Sequence, residues 1–357
     1  MAVTARGPGC RRVVVAIATP LEPELVERIE KVDDRLDVLF EPDLLPPTRF
    51  PCDHRGSHTF RRTEDQERRW QAMLGRAEVL FGLPGDSGAG LAAVVRANAE
   101  LRWAQATAGG AGQQVGASGL SDAELARVLV TSAGGVHAGP LAEFAMFGLL
   151  AFTKGLPRLR SDSETRRWEH YPVGELAGET LLVVGLGSVG AEVARLAKAF
   201  GMRVIGVNRT GRTDTATVDE VRTARFLGDL LPVAHGVVVT LPLTDETRGV
   251  IDAHAISRMR TGAIMVNVGR GAVIDEEALV KALEDGRLGG AALDVFETEP
   301  LPPQSPLWRL PNVIISPHTA ALSLRENERI VALFVENLRR YLGGDELISL
   351  VRPTLLY

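Results

Sequence analysis

The stretch LLVVGLGSVGAEVARLAKAFG, residues 181–201, limits the possible folds more than any other part of the chain. An apolar run passes directly into glycines at 185, 187 and 190, and then into residues with the apolar spacing of a helix. A strand that turns this tightly into a helix opens a β-α-β unit, whose next strand lies parallel to the first. The runs RVIGV (203–207), GVVVT (236–240), AIMVN (263–267), GGAALDV (289–295) and NVIIS (312–316) supply such strands. Strands covered by helices on both faces read as continuous apolar runs, as these do.

The same rhythm occurs upstream, in VVVAIA (13–18), LDVLF (36–40), EVLFG (78–82), LRWAQATA (101–108) and RVLVTS (127–132). At 357 residues the chain exceeds the size at which single cores divide. The expected fold class is therefore α/β: two parallel-sheet units in tandem. Ile330, Leu333, Phe334 and Leu338 fall on one helical face near the C-terminus, and this helix could fold back onto the first unit. The proline-rich stretch from 41 to 56 reads as an irregular surface excursion.

Composition removes several classes of function. Hydrophobic residues make up 45% and charged residues 24%, with a formal net charge of −5 and no basic stripe, so nucleic acid is not an expected partner. The apolar run LAEFAMFGLLAF from residue 141 is too short to span a bilayer, and no membrane partner or export signal is expected. The two cysteines, Cys10 and Cys52, form no C-x-x-C pair, which suits a reducing, cytoplasmic setting. Cys52, Asp53, His54 and His58 invite a metal reading, but the Gly56-Ser57 break spoils a helical ligand face, and no metal is expected.

The glycine pattern has a ligand logic. The first turn must be tight, the backbone must approach a pyrophosphate, and Gly187, Ser188, Val189 and Gly190 lie where a helix N-terminus would face it. An acid about 20 residues further on marks NAD, whereas arginine there accommodates the 2′-phosphate of NADP. Asn208 occupies that position, with Arg209, Thr210 and Arg212 beside it. NADP(H) is the preferred cofactor on this reading, with NAD(H) possible if the loop merely lacks its acid.

Three ionisable residues follow strands of the second unit: Arg270, Glu299 and His318. A histidine can give a proton to a ketone oxygen, a carboxylate can orient its ring, and arginine can hold a substrate carboxylate and polarise the carbonyl. The set suits exchange between 2-oxo and 2-hydroxy acids.

At this point a family resemblance is carried by GELAGETLLVVGLGSVGAEVARLAKAFGMRVIGVNR, by LPLTDETRGVIDAHAISRMRTGAIMVNVGRGAVIDEEALVKALEDGRLGGAALDVFETEPLP and by LPNVIISPHTA. These segments resemble the D-isomer-specific 2-hydroxyacid dehydrogenases over nearly all of 139–322. The resemblance implies a catalytic role for Arg270, Glu299 and His318, and a nicotinamide contact for Asp294. It also implies cofactor contacts for Gly185, Thr240, Leu241, Pro242, Val268 and Gly269, with His318 next to the nicotinamide. It further implies two flavodoxin-like or Rossmann-like doubly wound parallel-sheet domains, a dinucleotide-binding domain at 139–322 and a substrate domain at 1–138 completed by 323–357, with an active-site cleft between the two, and a homodimer. In the first domain Leu83, Gly85, Gly109 and Gly110 are nearest to the family's substrate loops, beside Pro84, which has no N–H. A rigid Gly-Gly turn without a ligand is the other reading of the second loop.

The leading expectation is an NADPH-preferring reductase of a small 2-oxo acid. Formate-oxidising relatives resemble the chain but pair their histidine with glutamine, and Glu299 argues against that branch; a phosphite-oxidising relative stays open. A dinucleotide-sensing, corepressor-like interaction module is the alternative of a different class.

Overall fold

The computed structural model describes residues 11–213 and 216–351, so Cys10 lies outside the described residues. The chain divides into two units, one formed by Met1–Val136 with Ser323–Tyr357, the other by His137–Leu322.

Among the described residues, unit 1 is built on the strands β1 (Val13–Ile17), β2 (Leu36–Leu39), β3 (Val79–Phe81), β4 (Trp103–Gln105) and β5 (Leu129–Thr131). All neighbours are parallel, in the order β2-β1-β3-β4-β5. One face of this sheet is covered by the helix Glu326–Gly343, whose Ile330, Val331, Phe334 and Leu338 are fully buried among Val15, Ile17, Phe81 and Trp103. The Phe334 ring stacks on Trp103 and meets Phe81 edge-on, both at centroid distances of 5.0 Å. A buried polar chain fixes the same helix: Trp103 Nε1 donates to Thr131 Oγ1, which donates to Gln105 Oε1, which also accepts from Asn337 Nδ2.

The 41–56 stretch is irregular, but it is not confined to the surface. Leu44, Leu45, Cys52 and Asp53 are all buried. The segment can lie against the rest of unit 1 because its buried carboxylate is satisfied locally. Asp53 accepts four hydrogen bonds, three from Arg49 (backbone N, Nε and Nη2) and one from the Gly56 backbone N. The Cys52 thiol donates to the Ser323 carbonyl at 3.2 Å, and burial pushes its pKa up.

Among the described residues, unit 2 contains β6 (Thr180–Val184), β7 (Arg203–Asn208), β8 (Glu220–Thr223), β9 (Gly236–Val239), β10 (Ala263–Asn267), β11 (Leu288–Leu293) and β12 (Val313–Ile315). They form one parallel sheet, ordered β12-β11-β10-β9-β6-β7-β8. The central strands β9 and β10 are buried end to end, and β6 from Leu181 onward, as their apolar runs require. The order reverses between β6 and β9, and ligands of open α/β sheets bind beyond the carboxyl ends of strands at such a reversal. No helix among the described residues is long and apolar enough to cross a membrane.

Candidate active site

The glycine loop leaves β6 at that reversal. Gly185 has φ +107°, a region that L side chains rarely adopt, and a Cβ on it would stand 2.7 Å from Thr240 Oγ1. Thr240, just beyond β9, donates its hydroxyl to the Gly185 carbonyl at 2.8 Å. Gly190 is required for another reason: a Cβ there would lie 1.9 Å from the same carbonyl, preventing the helix Ser188–Ala199 from packing on the strand. Gly187 differs from both, being exposed, with nothing within 4 Å of the place a Cβ would occupy. The N–H groups of Ser188, Val189 and Gly190 find no acceptor among the described residues. A tight turn, an open glycine and a helix N-terminus with undirected donors fit a dinucleotide pyrophosphate. Leu241 and Val268 are partly and fully buried beside this loop, Pro242 is exposed, and a Cβ on Gly269 would press on the Leu241 carbonyl at 2.5 Å.

At the end of β7 Asn208 organises the next turn. Its Oδ1 accepts from the backbone N of Thr210 (3.1 Å) and of Gly211 (2.6 Å), while Nδ2 donates to the Arg212 carbonyl at 2.7 Å. An aspartate could accept the first two bonds but could not donate the third. Asparagine therefore both closes the turn and leaves it without negative charge. The Thr210 hydroxyl is drawn into this turn, 3.3 Å from Asn208 Oδ1, and Arg209 and Arg212 are exposed on it.

The three ionisable residues stand on loops after β10, β11 and β12. Arg270 is flanked by glycines that permit close backbone approach, since a Cβ on Gly271 would fall 1.8 Å from the Phe296 carbonyl carbon. Asn267 closes this loop, its Nδ2 donating to the Arg270 carbonyl and its Oδ1 accepting from the Gly269 N, both at 3.0 Å. The Arg270 side chain is partly buried and donates through Nη1 to the Gly269 carbonyl at 2.7 Å. Burial lowers its pKa from the usual arginine value, opposed by the charge of Glu299. No hydrogen bond joins Arg270 to Glu299 or His318.

Glu299 and His318 are brought together directly. Glu299 Oε2 lies 2.8 Å from His318 Nδ1, and Oε1 accepts from the Phe296 backbone N at 3.0 Å. His318 has φ +54°, and its backbone N–H donates to the Asp294 carbonyl at 2.9 Å. Asp294, only 1% exposed, gathers Ser316 Oγ, Thr319 N and Ala320 N on its Oδ1. It thus builds the loop that carries the imidazole, and its Oδ2 has no hydrogen bond from a described residue. Asn267 and Ser316, both buried, carry no signal in the sequence, because a single polar residue at or just beyond a strand end leaves no periodic pattern.

In unit 1, Leu83 and Gly85 follow β3, and their N–H groups find no acceptor among the described residues. Leu83 is buried, while Gly85 is exposed with φ +63°. Gly109 and Gly110 are exposed after β4, Gly110 immediately preceding the helix Ala111–Gly116. Gln114 ties the two loops together, donating from Nε2 to the Asp86 carbonyl and to Asp86 Oδ1.

Residues 146–320 match the family model described as D-isomer specific 2-hydroxyacid dehydrogenase, NAD binding domain. A glyoxylate reductase of Thermofilum pendens is 35% identical over 235 residues, covering 64% of this chain and 69% of the relative. The solved structure of a D-isomer specific 2-hydroxyacid dehydrogenase family protein from Aeromonas salmonicida has a TM-score of 0.75 at 30% identity, covering 96% of this chain and 99% of that one. Another, from Xanthobacter autotrophicus in complex with NADPH and MES, has a TM-score of 0.75 at 26% identity, covering 97% and 100%. The glycine loop, the Glu299–His318 pair and these similarities lead to one conclusion: the chain belongs to the D-isomer-specific 2-hydroxyacid dehydrogenase family of NAD(P)-dependent oxidoreductases.

Proposed function

We propose that the protein is an NADPH-preferring reductase that converts a small 2-oxo acid to the D-2-hydroxy acid. The observation that carries this reading is the Glu299–His318 pair, 2.8 Å apart. With Nδ1 committed to the carboxylate, Nε2 is the nitrogen left to deliver a proton to the substrate oxygen. When bound, the reduced nicotinamide supplies the hydride for the carbonyl carbon. Arg270 neutralises the substrate carboxylate and the charge that develops on the oxygen. The N–H groups of Leu83, Gly85, Gly109 and Gly110, in unit 1, are the donors proposed for a substrate carboxylate. Asp294 Oδ2 receives the carboxamide, and the N–H groups of residues 188–190 receive the pyrophosphate.

The turn at Asn208, which carries no negative charge and exposes Arg209 and Arg212, supports preference for a 2′-phosphate. The relative named glyoxylate reductase and the neighbour solved with NADPH support the same choice of substrate size and cofactor. Phe147 and Leu159 are 48% and 49% exposed on the helices Ala138–Thr153 and Leu156–Thr165, and they support a homodimer formed through this apolar surface. Sedimentation velocity tests the dimer.

The deciding assay is cofactor oxidation at 340 nm with glyoxylate, hydroxypyruvate and pyruvate, comparing NADPH with NADH in the parent and in Arg209→Ala. The reading expects faster turnover with NADPH and loss of that preference in the variant. Tight cofactor binding without turnover of any 2-oxo acid would instead favour a dinucleotide-sensing module.

A further inference from the structure

The segment 46–60, inserted between β2 and the helix Glu64–Arg76, has no role in the chemistry above. Its middle nevertheless lies at the point of unit 1 where a ligand is expected. The strand order β2-β1-β3 reverses between β1 and β3, so the crevice lies beyond the carboxyl ends of these two strands. Thr19, beyond β1, and Gly82, beyond β3, touch there: a Cβ on Gly82 would meet Thr19 Cγ2 at 2.5 Å.

The inserted segment is pinned to that spot. Thr19 Oγ1 donates to the His54 carbonyl at 3.0 Å and lies 3.4 Å from His54 Nδ1. The His54 side chain is 9% exposed, with Nε2 buried, 3.7 Å from Glu326 Oε1 and in no hydrogen bond. On the other side Asp53 is held by its four hydrogen bonds. Two successive buried anchors therefore fix the backbone from which Arg55 projects.

Arg55 contrasts with its stem. Its side chain is 69% exposed and makes no hydrogen bond with a described residue. Its one ion pair among the described residues is a single approach, Nε to Asp86 Oδ2 at 3.4 Å, while Asp86 Oδ1 is engaged by Gln114. The guanidinium is thus positioned beside the loop of Leu83 and Gly85 with its terminal nitrogens uncommitted. A fork of this kind matches a carboxylate, sulfonate or phosphonate through paired, charge-assisted hydrogen bonds.

We propose that Arg55 recognises a second anionic group on the substrate, so that the protein favours 2-oxo acids with a distal acid over those with an apolar tail. This rests on the reductase reading above. The first experiment compares kcat/KM for oxaloacetate, 2-oxoglutarate, 3-sulfopyruvate and pyruvate in the parent, Arg55→Ala and Arg55→Lys. The ratio of the best dianionic substrate to pyruvate should fall about 10- to 100-fold in Arg55→Ala, chiefly through KM, and recover in part in Arg55→Lys. A preference for 3-sulfopyruvate that vanishes in Arg55→Ala supports the same contact with sulfonate as the anion. An unchanged ratio overturns the assignment.

A binding arm keeps the two readings separable. Calorimetric titration of the full chain should show D-malate binding about 10-fold or more tightly than D-lactate, and Arg55→Ala should abolish the difference. Equal binding to the parent overturns the inference whatever the turnover. Discrimination in binding without reduction of any 2-oxo acid refutes the reductase and leaves the Arg55 contact standing. Reduction with an unmoved ratio does the reverse.

Discussion

Glu299 divides its carboxylate between His318 Nδ1, 2.8 Å from Oε2, and the Phe296 N–H, 3.0 Å from Oε1. One oxygen is anchored to the backbone so that the other can hold the ring in a fixed direction. The two side chains should therefore behave as a single unit. His318→Ala is expected to lower kcat by about 10²- to 10⁴-fold and Glu299→Gln by about 10- to 100-fold. The double variant should be no slower than His318→Ala alone. Single-turnover rates check this, with NADPH fluorescence confirming that cofactor binding persists. Multiplying losses would mean that the two groups act separately.

The loop glycines separate fold from function. Gly187 has φ −74° and open space above it, so Gly187→Ala should leave thermal stability within about 0.5 kcal/mol while weakening cofactor binding. Gly190→Ala places a methyl against the Gly185 carbonyl and should destabilise unit 2 itself. Melting curves with and without NADPH distinguish the two effects. Equal melting temperatures for both variants would contradict this division of roles.

Unit 1 depends on a helix from the far end of the chain. Phe334→Ala removes a fully buried ring from between Trp103 and Phe81 and should cost about 3 to 5 kcal/mol. Hydrogen exchange is the appropriate readout, with protection expected to fall in β1, β3 and β4. Loss confined to the helix would show that the sheet holds without it.

Acid should expose the Asp53 anchor. The Arg49 guanidinium, with help from backbone N–H groups, holds the carboxyl at about 2, against the opposing effect of burial. A folded-state value below the unfolded one, near 4, gives stability that is complete above about pH 4 and is lost as pH falls through about 2. Asp53→Asn should therefore be less stable than the parent at pH 7, and the two should converge in urea unfolding as pH drops below 4. A gap independent of pH would remove the charge from this account.

Much of this architecture was readable in the residues, for physical reasons. Strands buried on both faces write themselves as apolar runs, so β6, β9, β10 and β11 were visible, as was the turn at residues 185–190. The edge strand β8, with the sequence EVRT, is only half buried and carries no such run, and it went unseen. The 41–56 stretch looked like a surface loop because proline and charge dominate it, yet Asp53 supplies the bonds that let it pack inward. Arg270, Glu299 and His318 stood out as ionisable groups after strands. Asn267, Ser316 and the turn-closing role of Asn208 emerged only from atomic positions, because a side chain that binds its own loop looks like any other polar residue.

The return of Glu326–Gly343 to unit 1 has a consequence for synthesis on the ribosome. The strands of unit 1 emerge before unit 2, yet one face of their sheet cannot be fully covered until the helix Glu326–Gly343 leaves the exit tunnel. Unit 2 is continuous in sequence and can close in the interval. Unit 1 is thus completed only after unit 2 has been made, and until then Phe81 and Trp103 lack the Phe334 ring and are open to chaperones or to neighbouring nascent chains.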